Sequence, residues 1–129
     1  MPVNYSPDPL TWRQFAEKDW WRYKRLLILG DPQGAGVLLQ QSVEKFLKAF
    51  LMSKQWSFKP LHDLGMLLSS ALHYCPNWQR YLNSCMLITE FFYKGRYPMP
   101  IAFPITQQDV VSGASQVKPL LNEIRKTVK

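Results

Sequence analysis

Ten prolines in 129 residues fix where this chain can and cannot be helical. They stand at positions 2, 7, 9, 32, 60, 76, 98, 100, 104 and 119. Proline lacks an amide hydrogen, clashes with the preceding helical turn and steers the residue before it into extended backbone. All but Pro119 lie at the edges of apolar patterns, where those penalties are small. The intervening segments are long enough for helices and too long for ordinary strands.

The first segment places Trp12, Ala16, Trp20, Tyr23 and Leu27 on one helical face. Asp8 with Pro9, or Thr11 with Gln14 as a capping box, can start it. Gly30-Asp31-Pro32 ends this helix and opens a second, with Asp31 as cap and Pro32 in the first turn. The second runs to about Gln55 with Leu39, Val43, Phe46, Leu47 and Phe50 towards the core. So short a turn predicts an antiparallel hairpin. Asp63 caps a shorter third helix carrying Leu64, Leu67, Leu68, Ala71 and Leu72. Asn77 caps a fourth, whose face is Trp78, Tyr81, Leu82, Cys85, Ile88, Thr89 and Phe92. Residues 95–105 read as a proline-rich, non-helical connector. The last helix starts near Thr106 and Asp109 and carries Val110, Ala114, Val117, Leu121, Ile124 and Val128. Pro119 should kink it near Ser115 or split it. The expectation is one all-α domain over residues 1–129, an up-and-down antiparallel bundle of about five helices, its core spanning residues 12–127.

Sixteen Lys and Arg against nine Asp and Glu give a net charge of +7, which favours an acidic partner. The excess is spread out: nine cations and five anions before residue 61, seven and four after it. No basic block exists to grip a long polyanion along one groove. Met1 to Leu10 lacks the apolar core of a secretory signal, and uninterrupted apolar runs reach only four residues. With two cysteines, Cys75 and Cys85, the reading is cytoplasmic.

Most catalytic signatures are missing. Gly34 and Gly36 lack both a third glycine and a preceding strand. No phosphate loop, Cys-x-x-Cys or His-Glu-x-x-His occurs, and His62 and His73 are too far apart for a metal site; no cofactor or metal is expected. Three stretches carry the remaining chemistry. Gln41, Glu44, Lys45 and Lys48 make a polar stripe on the second helix, either a solvated face with a Glu44–Lys48 pair or a row of groups facing a ligand or second subunit. Tyr93-Lys94-Gly95-Arg96-Tyr97-Pro98 offers a guanidinium fork and rings to phosphate and base, or else Tyr97 packs under the connector while Arg96 satisfies helix-end carbonyls. His62-Asp63 reads as a helix-start pair or a binding element.

Taken together, the run from Gln40 to Ala49, then His62-Asp63-Leu64, then Arg96-Tyr97-Pro98 resemble the HEPN domain (higher eukaryotes and prokaryotes nucleotide-binding). Ala16 and Asp19 fit its usual first helix. The resemblance implies an α-helical bundle that usually dimerises. Many HEPN proteins are metal-independent ribonucleases, including toxins paired with a small nucleotidyltransferase antitoxin. Their signature is an Arg followed four to six residues later by a His. Here no histidine follows Arg96, so a general base near neutral pH is missing at that point. The chain is similar instead to the branch ending in Arg-Tyr-Pro, whose members bind nucleotides or RNA, or partner a nucleotidyltransferase. The expectation is therefore a non-catalytic homodimer binding nucleotide or RNA phosphate through Lys45, Lys48 and Arg96. An interaction module, or a toxin ribonuclease using Tyr93 or His62 as its base, are the alternatives.

Overall fold

A computed structural model describes residues 8–96 and 104–129. Five α-helices, α1 (Pro9–Ile28), α2 (Pro32–Ser53), α3 (Leu64–Ala71), α4 (Leu82–Arg96) and α5 (Gln107–Thr127), follow in order, with a 3-10 helix at Pro76–Tyr81. The all-α bundle is thus as the proline spacing predicts, and no strand occurs among the described residues.

Local chemistry explains the boundaries. Asp8, not Thr11, caps α1. Gly30, at φ +77°, carries the chain out of that helix, and the amide of Asp31 closes the turn on the Leu26 carbonyl at 2.9 Å. The Asp31 carboxylate then accepts from the Gly34 amide at 2.9 Å and starts α2. Helix α2 stops at Ser53, two residues before the expected end, because Gln55 takes the left-handed conformation that glycine usually supplies. Its amide and that of Trp56 satisfy the Met52 and Leu51 carbonyls. Asp63 caps α3, and Thr106 and Asp109 form a reciprocal capping box on α5.

Three expectations need correction. Residues Pro76–Tyr81 form a 3-10 helix in which Asn77 is exposed and caps nothing. Three residues per turn bring Trp78 and Tyr81 onto one side, and both are buried. Of the kink or split expected at Pro119, the split does not occur, since α5 is continuous. The carbonyl the proline ring disfavours belongs to Ser115, on an exposed stretch where water can bond it. Gly95 and Arg96 belong to α4 rather than to the connector, of which 97–103 lie outside the described residues.

Helix α2 is the centre of the bundle, packing against α1, α3, α4 and α5. Thirteen of its 22 residues are buried, which leaves no fully solvated face. Gly36 lets α4 approach closely: a Cβ there would meet the Phe91 Cβ at 3.0 Å. Arg125 of α5 clasps the Glu17 carboxylate of α1 through Nε at 2.9 Å and Nη2 at 2.8 Å, joining two helices distant in sequence. Burial pushes the Glu17 pKa up, but the hydrogen bond and charge of Arg125, with help from Arg13, outweigh it and hold the group below its ordinary 4.5. A carboxyl with a depressed folded pKa stabilises the fold above its unfolded value and loses that contribution as pH falls through the folded one. Stability should therefore decline as pH drops below about 4.5, and the decline should be shallower in Glu17→Gln, as urea titrations at stepped pH would show.

Candidate functional site

A buried polar ladder runs along α2 at four-residue intervals, formed by Gln40, Glu44 and Lys48. Side chains at i and i+4 are neighbours on a helix, so the three stack on one side. Lys48 Nζ donates to Glu44 Oε2 at 2.9 Å, and Gln40 Nε2 donates to Glu44 Oε1 at 3.1 Å. His62, from the segment between α2 and α3, places Nδ1 2.9 Å from Glu44 Oε1. Its backbone carbonyl accepts a second bond from Gln40 Nε2 at 2.7 Å. Ring and main chain of His62 are both anchored to α2.

Burial gives this ladder its weight. Lys48 is 2% exposed and Glu44 6%, so neither charge is solvated. The Lys48 ammonium also lies 5.7 Å from the ring of Trp12 and 5.1 Å from that of Phe58, and those two rings stack at 5.5 Å. The cation therefore sits between π faces and a carboxylate, the arrangement that best offsets its lost hydration. Among the described residues, Gln40 Oε1 and Trp12 Nε1 are buried with no hydrogen-bond partner.

The solvated-face expectation for this stripe fails at Glu44 and Lys48. An amphipathic reading assumes one buried side, whereas α2 is surrounded. Lys45, one residue round the helix, turns to α1 and pairs with Asp19. Asp19 is 1% exposed and also binds Arg22 Nη1 at 3.1 Å. Gln41 is half-buried and outside both clusters.

His62 leads from the ladder to the surface. Its side chain is 53% exposed, and its ring stacks on Phe92 of α4 at 5.4 Å. Phe92 in turn meets the exposed Tyr93 edge-on at 5.2 Å. An ionised carboxylate only accepts, so Nδ1 carries the proton and a neutral ring keeps its lone pair on Nε2. Asp63, beside His62, caps α3 through the Met66 amide at 3.1 Å. Its charge, after burial, helps push the Cys85 thiol up to about 12. Arg96 occupies the last turn of α4. Tyr97 lies outside the described residues.

The structure thus joins Lys48, Glu44, His62 and, through Phe92, Tyr93 along one path from core to surface, while Asp63 turns to cap α3 and Lys45 belongs to a second ion pair. In the sequence Gln40, Trp12 and Phe92 read only as motif or core residues, and nothing marks Phe58. The signal for the first was present: Gln40, Glu44 and Lys48 share one spacing. Asp19 gave a similar sign, a carboxylate set inside the apolar stripe Trp12-Ala16-Tyr23.

The HEPN domain model matches residues 10–127, from the first turn of α1 to the end of α5. The chain belongs to the HEPN domain family. No curated protein and no solved structure matches it. Within this HEPN domain, the ladder occupies the motif run of α2, and His62-Asp63 stands beside it. Among the described residues, no three His, Cys, Asp or Glu side chains gather as metal ligands, and no helix is long and apolar enough to cross a membrane.

Proposed function

We propose that this HEPN-domain protein binds nucleotide or RNA phosphate, acting as a homodimer and with a nucleotidyltransferase as protein partner. The binding surface is the corner where His62, Asp63, Tyr93 and the last turn of α4 meet. The observation that carries the reading is His62: a half-exposed imidazole fixed at Nδ1 by a buried carboxylate and packed flat on Phe92. A ring held this way loses little freedom on meeting a ligand. Tyr93 supplies a face for a base, and Arg96 is the cation assigned to phosphate. Lys48, whose ammonium already faces Glu44, serves as a support that keeps the corner in shape, while Lys45 is engaged by Asp19 on the α1 side.

One observation favours a second reading, a metal-independent ribonuclease. The Glu44–His62 pair is a carboxylate orienting an imidazole, which leaves Nε2 able to take a proton from a 2′-hydroxyl. One experiment separates the two. Fluorescein-labelled RNA of about ten nucleotides, ATP and GTP are titrated with wild type, His62→Ala and Arg96→Ala at low salt, where phosphate contacts are strongest. Saturable binding, weakened about tenfold or more in Arg96→Ala with the RNA intact, is the expected result. The binding reading is overturned if none of the three ligands binds. RNA cleavage that vanishes in His62→Ala would establish the ribonuclease instead.

A further inference from the structure

The outer side of α1 carries a stripe that the HEPN corner does not use. Thr11, Gln14, Lys18, Trp21, Arg25 and Ile28 are all exposed and follow one another at steps of three and four residues. That spacing puts them on one face of the helix, polar towards its start and carrying Trp21 and Ile28 towards its end. Trp21 is 58% exposed, Ile28 76% and the adjoining Leu29 77%, a large apolar outlay for a surface helix. Beside the stripe, a shallow groove of about 310 Å³ opens between α1 and α2, lined by Trp21, Arg22, Arg25, Leu26 and Leu38.

Charge selects the occupant. Lys18 and Arg25 lie within the stripe, the Arg25 guanidinium 5.0 Å over the Trp21 ring, and Arg22 beside it is already held by Asp19. The carboxylates of α1 and α2 are Glu17, Asp19 and Glu44, and each is engaged by a cation of this chain. Asp31, at the turn, caps α2. The stripe itself is therefore apolar and cationic, with the exposed carboxylate of Asp31 just beyond its end. A second copy fits badly, since antiparallel self-pairing would set the Lys18 and Arg25 of one chain against those of the other. Nucleic acid would use the cations and Trp21 but would gain nothing from aliphatic Ile28 and Leu29. Trp and Arg beside an apolar groove are the residues that anchor protein interfaces. We infer that the outer face of α1 docks an acidic amphipathic helix of a partner protein, apolar side chains entering the Trp21–Leu38 groove and carboxylates meeting Lys18 and Arg25.

The test uses a labelled synthetic helix with leucine on one face and glutamate on the other. Its binding to the full chain is followed by anisotropy, with a lysine-for-glutamate version as control. Saturable binding by the acidic helix alone is expected, weakened about tenfold by Trp21→Ala and by Arg25→Glu and reduced by salt. Both positions are exposed, so an unchanged melting temperature will show that each variant is folded. The inference is overturned if the acidic helix fails to bind, or if its binding ignores both substitutions. It is equally overturned if Trp21→Ala instead abolishes self-association, RNA binding or attachment to anionic vesicles, which would give the face to another occupant.

Discussion

Glu44→Ala is expected to destabilise the fold by about 3–5 kcal/mol, because it strands a lysine ammonium inside the bundle. Lys48 is 2% exposed, and its remaining neighbours, the rings of Trp12 and Phe58, cannot replace a carboxylate. The reverse substitution should cost less. In Lys48→Met, Glu44 keeps Gln40 Nε2 and His62 Nδ1 as donors to Oε1 and has slightly greater access to water. Replacing both together, as in Glu44→Leu with Lys48→Met, removes two desolvation costs at once. Such a change is expected to be neutral or to stabilise by about 1–4 kcal/mol. Urea denaturation of the three variants at neutral pH gives the comparison directly. A cost below about 1 kcal/mol for Glu44→Ala would mean that water reaches Lys48 and that the ladder is not a buried ion pair.

The double variant also bears on function. If the apolar pair is as stable as the ion pair, stability alone does not explain why two charges occupy the central helix. Their consequence would then be the pose of His62, which hangs from Glu44 by its ring and from Gln40 by its carbonyl. The expected result is a protein as stable as wild type whose affinity for RNA or nucleotide falls with that of His62→Ala.

Much of this arrangement is legible in the residues, and the failures share one physical cause. Caps at Asp31 and Asp63, the Gly30 turn and the apolar stripes all follow from local chemistry that depends on a few neighbouring residues. The burial of Glu44 and Lys48 does not, because it depends on how many helices surround α2. A polar stripe looks the same whether water or Trp12 and Phe58 cover it. The 3-10 helix fails to announce itself for a related reason. Asn77 behind a proline has the credentials of a cap, and Trp78 and Tyr81, three apart, would share a face in an α-helix as they do in the 3-10 helix, so their spacing does not tell the two apart. Local signals set the ends of helices, and packing decides what their polar residues are for.

That tightened turn carries the second large effect. Trp78→Ala should cost about 3–5 kcal/mol, since truncating a buried tryptophan forfeits both its transfer energy and the contacts around the cavity left behind. The indole is 2% exposed and lies 4.6 Å from the ring of Phe50 on α2. Phe50 also meets Tyr74 edge-on at 6.2 Å, so the loss reaches the segment joining α3 to the 3-10 helix. The 3-10 helix touches α3, α4 and α5, and Trp78 is its largest buried side chain. The cavity is therefore shared among elements that cannot all move inward. Trp78→Phe should lose clearly less, because a six-membered ring can keep the contact with Phe50. Trp21→Ala, on the exposed stripe of α1, supplies the internal control and should stay within about 0.5 kcal/mol of wild type. Thermal and urea unfolding of the three variants would check the ordering. Equal effects at positions 78 and 21 would contradict the placement of the 3-10 helix, because only the first of these rings is enclosed.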